Sequence, residues 1–160
     1  MKNAKFPTVT GSNLQRKKLA LPKDFEGELN LVLIAFQQWQ QSQVDTWIPF
    51  VRQLEQTDPA VRYYELPTIQ RLNVLARTFV NEGMRAGIPD PVARERTITL
   101  YLDKPAFREA LQLSGEENIY ALLLDRQGRV LWQAEGSFTP EKGESLAAAV
   151  RKRRDAQSAP

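Results

Sequence analysis

Residues Leu29 to Phe36 read Leu-Asn-Leu-Val-Leu-Ile-Ala-Phe, apolar at every position but one. A run this short and this uniform predicts a strand covered on both faces, because a half-exposed strand alternates and a helix runs longer. A polar stretch follows from Gln37 to Gln43. Beyond it Val44, Trp47, Ile48, Val51 and Leu54 recur at helical spacing. Pro49 lies inside that helix and is expected to kink it or open its second half. Asp58-Pro59 ends it. Val61 to Leu66 is the next predicted strand. From Ile69 to Met84 the positions Leu72, Leu75, Ala76, Phe79 and Val80 predict a helix closed by Gly83, Gly87 and Pro89. Thr97 to Leu102 is a β-branched strand, and Lys104 to Leu113 a short helix with Pro105 in its first turn. Ile119 to Leu124 and Val130 to Glu135 form a hairpin through the turn Asp125-Arg126-Gln127-Gly128. Thr139-Pro140-Glu141 opens a last helix that runs through Leu146 and Val150.

The predicted order is β-α-β-α-β-α-β-β-α. Alternation early in the chain implies parallel pairing through right-handed crossovers, and the closing hairpin adds an antiparallel pair. Helices are expected on both faces of a central mixed sheet of four to five strands. The chain is expected to be a single domain over residues 1–160. An extended N-terminal lead-in occupies 1–27, with Gly11 and Asn13 as turn residues, and a basic C-terminal tail occupies 151–160.

Composition narrows the chemistry. The 160 residues contain neither cysteine nor histidine. Disulfides, thiol redox chemistry, cysteine nucleophiles and thiolate or imidazole metal sites are therefore excluded for these residues. So is any serine triad that needs an imidazole. The net charge is +3, with the excess in two clusters, Arg16-Lys17-Lys18 and Arg151-Lys152-Arg153-Arg154. The second cluster has two open readings. One is favourable charge at a helix C-terminus, and the other is contact with an anionic surface or an acidic partner. No basic stripe with interleaved aromatics points to nucleic acid. Residues Met1 to Pro7 hold no apolar signal core, and the longest apolar run, Leu31 to Phe36, is six residues. A cytoplasmic protein, peripheral at the membrane at most, is expected.

Several short motifs together carry a family resemblance. Phe6-Pro7, Gly11 and Leu14, then Leu21-Pro22, Phe25 and Gly27, precede the buried strand. This resembles the start of peroxiredoxins and cytochrome-maturation thiol oxidoreductases. In those families a Trp and a Cys-x-x-Cys pair follow the strand. Here Trp39 matches the Trp, and Gln40 and Gln43 stand in the cysteine slots. The family's cis-proline slot holds Asn118-Ile119, ahead of Tyr120 to Asp125 and Gly128. The chain thus resembles the thioredoxin-like superfamily without its redox residues. Among cysteine-free relatives it is similar to the mitochondrial ATP synthase assembly factor ten family. The residues carrying that likeness are Leu21 to Phe36, Val44-Asp45-Thr46-Trp47, Pro49-Phe50, Asn118-Ile119-Tyr120, Asp125, Gly128 and Trp132. The resemblance implies help in assembling a membrane complex such as ATP synthase.

In a thioredoxin-like fold, Gln38, Trp39, Gln40, Gln43, Asn118 and Ile119 would line one groove able to pair with an extended polypeptide by strand addition. Amide side chains both donate and accept, which suits a peptide backbone. The plainer reading has the glutamines solvated and Trp39 in the core. Trp47 and Phe50 are read as core or as a partner contact. Asp45, Asp103 and Asp125 show no spacing that pairs them, and Lys18 and Lys23 would be nucleophiles only if buried. The expectation is a non-catalytic protein-binding domain, an assembly factor or chaperone, with no cofactor, no metal and no nucleic acid. The competing reading is a divergent peroxiredoxin- or thioredoxin-like enzyme that uses a partner's thiol or Ser42.

Overall fold

The computed structural model describes residues 4–70 and 91–158. The uniform apolar run becomes β3, Leu29–Ala35, buried along almost its whole length. Its alternate side chains feed two separate cores. Leu31 and Leu33 point to one face, and Val32 and Ile34 to the other. Around it lie β1 (Val9–Asn13), β2 (Lys18–Leu21), β4 (Val61–Gln70), β5 (Ile98–Leu102), β6 (Tyr120–Leu124) and β7 (Val130–Glu135). The sheet order is β2-β1-β5-β4-β3-β6-β7. β3 and β4 pair in parallel, as do β4 and β5, while β6 runs antiparallel to both β3 and β7.

The sheet has seven strands, not the expected four to five. The additional two come from the lead-in, which folds back as a hairpin and pairs β1 with β5. Asn13 makes its turn, with Oδ1 accepting the amides of Gln15 and Lys17 at 2.9 and 3.0 Å. Gly11 permits the close approach. A Cβ there would stand 2.6 Å from Ile98 Cγ2. The strand expected to end at Leu66 runs to Gln70, so Ile69 extends β4 instead of opening a helix. The rest of that expected helix, through Met84, with Gly83, Gly87 and Pro89, lies outside the described residues.

Helix α1 (Gln41–Thr57) contains Pro49 and follows a 3-10 turn at Gln38–Gln40. A short helix that the periodicity did not signal, α2 (Pro91–Arg96), precedes β5. α3 is Lys104–Leu111 and α4 is Pro140–Ser158. The basic residues 151–154 are therefore a continuation of the last helix. Val44, Trp47 and Val51 of α1 and Leu146 and Val150 of α4 cover one sheet face. Phe107 and Leu111 of α3, with Phe6 and Phe25 from the lead-in, cover the other. Both faces are closed, as a two-sided apolar strand requires.

Candidate functional site

The register places the last residues of β3 and the first of β6 side by side, with Ile34 opposite Tyr120. The segment entering α1 and the loop entering β6 therefore emerge at one pole of the molecule. Glutamine amides stitch them together. Gln43 Nε2 donates to Asn118 Oδ1 at 2.9 Å, and Gln43 Oε1 accepts the Ile119 amide at 2.9 Å. Gln40 turns inward and is fully buried. Its Oε1 accepts the Phe36 and Gln37 amides at 2.8 and 3.2 Å, and its Nε2 donates to the Glu116 carbonyl. Gln37 Nε2 donates to Glu116 Oε1 at 2.8 Å.

Glu116 is the polar centre of this pole. Lys104 Nζ and Arg108 Nε lie 3.2 and 3.1 Å from its carboxylate. Lys104 Nζ also donates to the Phe36 carbonyl at 2.8 Å, tying α3 to the end of β3. Neither Glu116 nor Lys104 carried a signal in the sequence. Glu116 sits in a loop between elements and acts through partners 8 to 79 residues away, a separation that local patterning does not register.

The sequence-predicted groove residues divide. Trp39 is 59% exposed, which removes the core reading of that residue. Gln38 is exposed beside it, and Gln43 and Asn118 are half-buried. Gln40 and Ile119 are fully buried and offer no side-chain surface, which corrects the expectation that they line a groove. The physical reason is satisfaction of buried backbone: the Gln40 amide supplies the partners that the strand-to-helix corner lacks. Both main-chain groups of Ile119 are also engaged. Its amide is held by Gln43, and its carbonyl accepts the Gly136 amide at 2.8 Å. Strand addition at this residue would have to displace the Gln43 bond.

Trp47 is fully buried, and its Nε1 donates to the Gly136 carbonyl at 2.9 Å. Phe50 stacks on Phe138 with ring centroids 5.1 Å apart. Both are packing residues. Ser42 Oγ donates to the Trp39 carbonyl at 3.2 Å. Beneath the rim, Gln41 Nε2 donates to Asp45 Oδ1 and Glu65 Oε1 at 2.9 and 3.3 Å. Burial pushes the Glu65 carboxyl above its ordinary range. The Gln41 bond pulls it down, the Asp45 charge pushes it up, and the Arg52 charge opposes that. Asp45 and Asp103 are exposed, while Asp125 lies at the far end of β6. Lys18 and Lys23 are solvent-exposed. Among the described residues no group of three or more carboxylates could hold a metal ion. No described helix is long and apolar enough to cross a membrane.

Solved structures of similar architecture are thioredoxin-like. One is a protein assigned as the thiol:disulfide interchange protein DsbE from Chlorobium tepidum, at 19% identity and a TM-score of 0.58, covering 95% of this chain and 96% of that one. A second is BsSco, a member of the Sco family of cytochrome c oxidase assembly proteins. It is 12% identical with a TM-score of 0.62, over 92% and 94% of the two chains. A third is the exposed lipoprotein thioredoxin Etrx1 from Streptococcus pneumoniae, 12% identical with a TM-score of 0.56, over 91% and 99%. At such identities the likeness is one of fold. No curated protein matches the chain in sequence. A family model described as ATP10 protein matches residues 1–152.

Proposed function

The chain belongs to the ATP10 protein family, and on that premise we propose that it is a non-catalytic client-binding factor for the assembly of a membrane complex such as ATP synthase. Family membership and the thioredoxin-like fold support an assembly-factor role. Thiol–disulfide exchange requires a thiolate, and none of the 160 residues is a cysteine. The pole at the entry to α1 is where a client is held.

The observation that carries this reading is Trp39. A large aromatic side chain left 59% exposed, on a rim whose neighbouring amides are tied down, is a ready anchor for a partner. Gln38, Gln43 and Asn118 supply the polar surround. Gln43 already holds the Ile119 amide. The client is therefore read through side chains at Trp39 and Gln38, with backbone pairing at Ile119 secondary. The client class is a polypeptide, a subunit of the complex being assembled. The protein works beside the membrane in which that complex is assembled.

The test is affinity capture with the full chain from detergent-solubilised membranes, followed by identification of bound subunits. Subunits of one membrane complex should be enriched, and Trp39→Ala should lose them while folding normally. An unchanged partner set in Trp39→Ala would place the contact elsewhere. Saturable thiol–disulfide turnover by the purified protein would overturn the binding role.

A further inference from the structure

The pole opposite Trp39 collects cations from separate segments. β6 and β7 join there through residues 125–129, α1 closes there on Asp58, and α4 brings Arg151 to Arg154 in its last turns. Two buried carboxylates draw these segments together. Asp125 Oδ2 accepts Arg129 Nε at 2.7 Å and lies 3.6 Å from Arg153 Nη2. Asp58 Oδ2 accepts Arg154 Nη1 at 2.7 Å. The remaining oxygens hold local turns. Asp125 Oδ1 accepts the Gln127 and Arg129 amides, and Asp58 Oδ1 accepts the Ala60 amide. These two acids thus face inward, while Asp155 on the same turns of α4 and Glu28 just before β3 are exposed and are outnumbered by the cations there. Arg126, Arg151 and Lys152 are exposed and form no ion pair with a described residue.

We propose that this cationic pole docks on an anionic lipid bilayer through charge alone. The proposal rests on the reading of the protein as a factor that works beside a membrane, and it assigns the surface that faces the headgroups. The chemistry of the pole selects the occupant. The two large apolar side chains exposed among the described residues are Trp39 and Val92. Trp39 is at the other pole. Val92, on α2, sits toward the cationic end, since Arg96 at the close of α2 pairs with Glu55 near the end of α1, but a lone valine makes neither an aromatic anchor nor an apolar face. A folded protein partner would need an apolar centre to anchor on, and bilayer insertion would need an apolar face. No aromatic lies within residues 125–129 or 150–158 on which single-stranded bases could stack. A headgroup surface asks only for clustered positive charge, and guanidinium forks match its phosphates. Because β3 runs from this pole toward Trp39, docking turns the client site away from the headgroups and toward extramembrane segments.

The experiment is co-sedimentation of the full chain with phosphatidylcholine vesicles, with and without phosphatidylglycerol, over a salt series. Polyuridine RNA and polyglutamate are assayed alongside. The wild type should partition onto the anionic vesicles only, and release as salt shortens the Debye length. The triple variant Arg126→Glu, Arg151→Glu, Lys152→Glu should bind roughly a hundredfold more weakly. A Gln version of the triple variant should show a smaller loss in the same direction, with thermal unfolding checking the fold of both. Equal binding to neutral vesicles, no binding to anionic ones, or an unchanged folded triple variant would overturn the proposal. So would tighter binding to RNA or polyglutamate at equal salt. The two readings fail separately. Absent vesicle binding with Trp39-dependent capture intact removes this one alone, and the reverse result removes the client site alone.

Discussion

Trp39 and Trp47 stand two helical turns apart in sequence, yet the first is 59% exposed and the second fully buried. The difference is one of surroundings. Trp47 packs edge-on against Trp132 and Phe138, with ring centroids 6.3 and 5.3 Å away, and spends its indole N–H on the Gly136 carbonyl. Trp47→Ala should therefore cost about 3–5 kcal/mol in urea unfolding. Trp39→Ala should stay within about 0.5 kcal/mol, as surface changes do. Equal costs for the two would contradict the assignment of Trp39 to a partner surface. Gln43 gives a second expectation at this scale. Gln43→Ala removes the partners of the Ile119 amide and of Asn118 Oδ1. A cost of about 1–3 kcal/mol is expected, together with faster hydrogen exchange at the Ile119 amide by NMR. An unchanged exchange rate there would mean the bond does not persist in solution.

The central strand and the closing hairpin were legible because their signals are local. β3 needed only a short apolar run, and the β6–β7 turn needed only Asp125 and a glycine at positive φ, Gly128 at 84°. The β1–β2 hairpin was readable in hindsight, since Leu19 and Leu21 are buried and Lys18 and Ala20 exposed, a period of two. Four residues were too short for the alternation to stand out. The pairing of β1 with β5 joins Gly11 to Leu100 and Asn13 to Ile98, residues from distant parts of the chain. Gly11→Ala tests that contact. Its Cβ would meet Ile98 Cγ2 at 2.6 Å and Leu100 Cδ2 at 2.8 Å, so these side chains or the strand pairing itself must give. A loss of about 1–3 kcal/mol by denaturant titration is expected. A neutral Gly11→Ala would show that β1 sits more loosely than its register implies.

Across the whole molecule the two poles hold carboxyls displaced in opposite directions. Burial would raise Asp125, but the Arg129 amide and guanidinium, with the Gln127 amide, outweigh it and hold the carboxyl below its ordinary range. Such a group stabilises the fold above its unfolded value, about pH 4, and that contribution is lost as pH falls through the folded value. Asp125→Asn should therefore be less stable than wild type near neutrality, with the gap closing in acid. Glu65 at the other pole is raised, chiefly by burial. As pH rises from its unfolded value through its folded one, the unfolded chain gives up its proton first and is favoured. Glu65→Gln should be more stable than wild type at neutral pH and equal to it in acid. Unfolding free energies across a pH series check both, and parallel profiles for a variant and wild type would contradict the corresponding shift. The sequence alone determined the buried central strand, the helix that follows it, the closing hairpin and last helix, the absence of thiol and imidazole chemistry in these residues, and the family likeness. Each of these is carried by residue identity or by spacing within one element. Only the tertiary structure decided that Gln40 and Ile119 are interior while Trp39 is not, that Gln43 bridges the two halves of the site, and that inward-facing Asp58 and Asp125 gather the cations at one end. Burial and polar pairing are properties of residues brought together from distant parts of the chain, and no local pattern records which ones will meet.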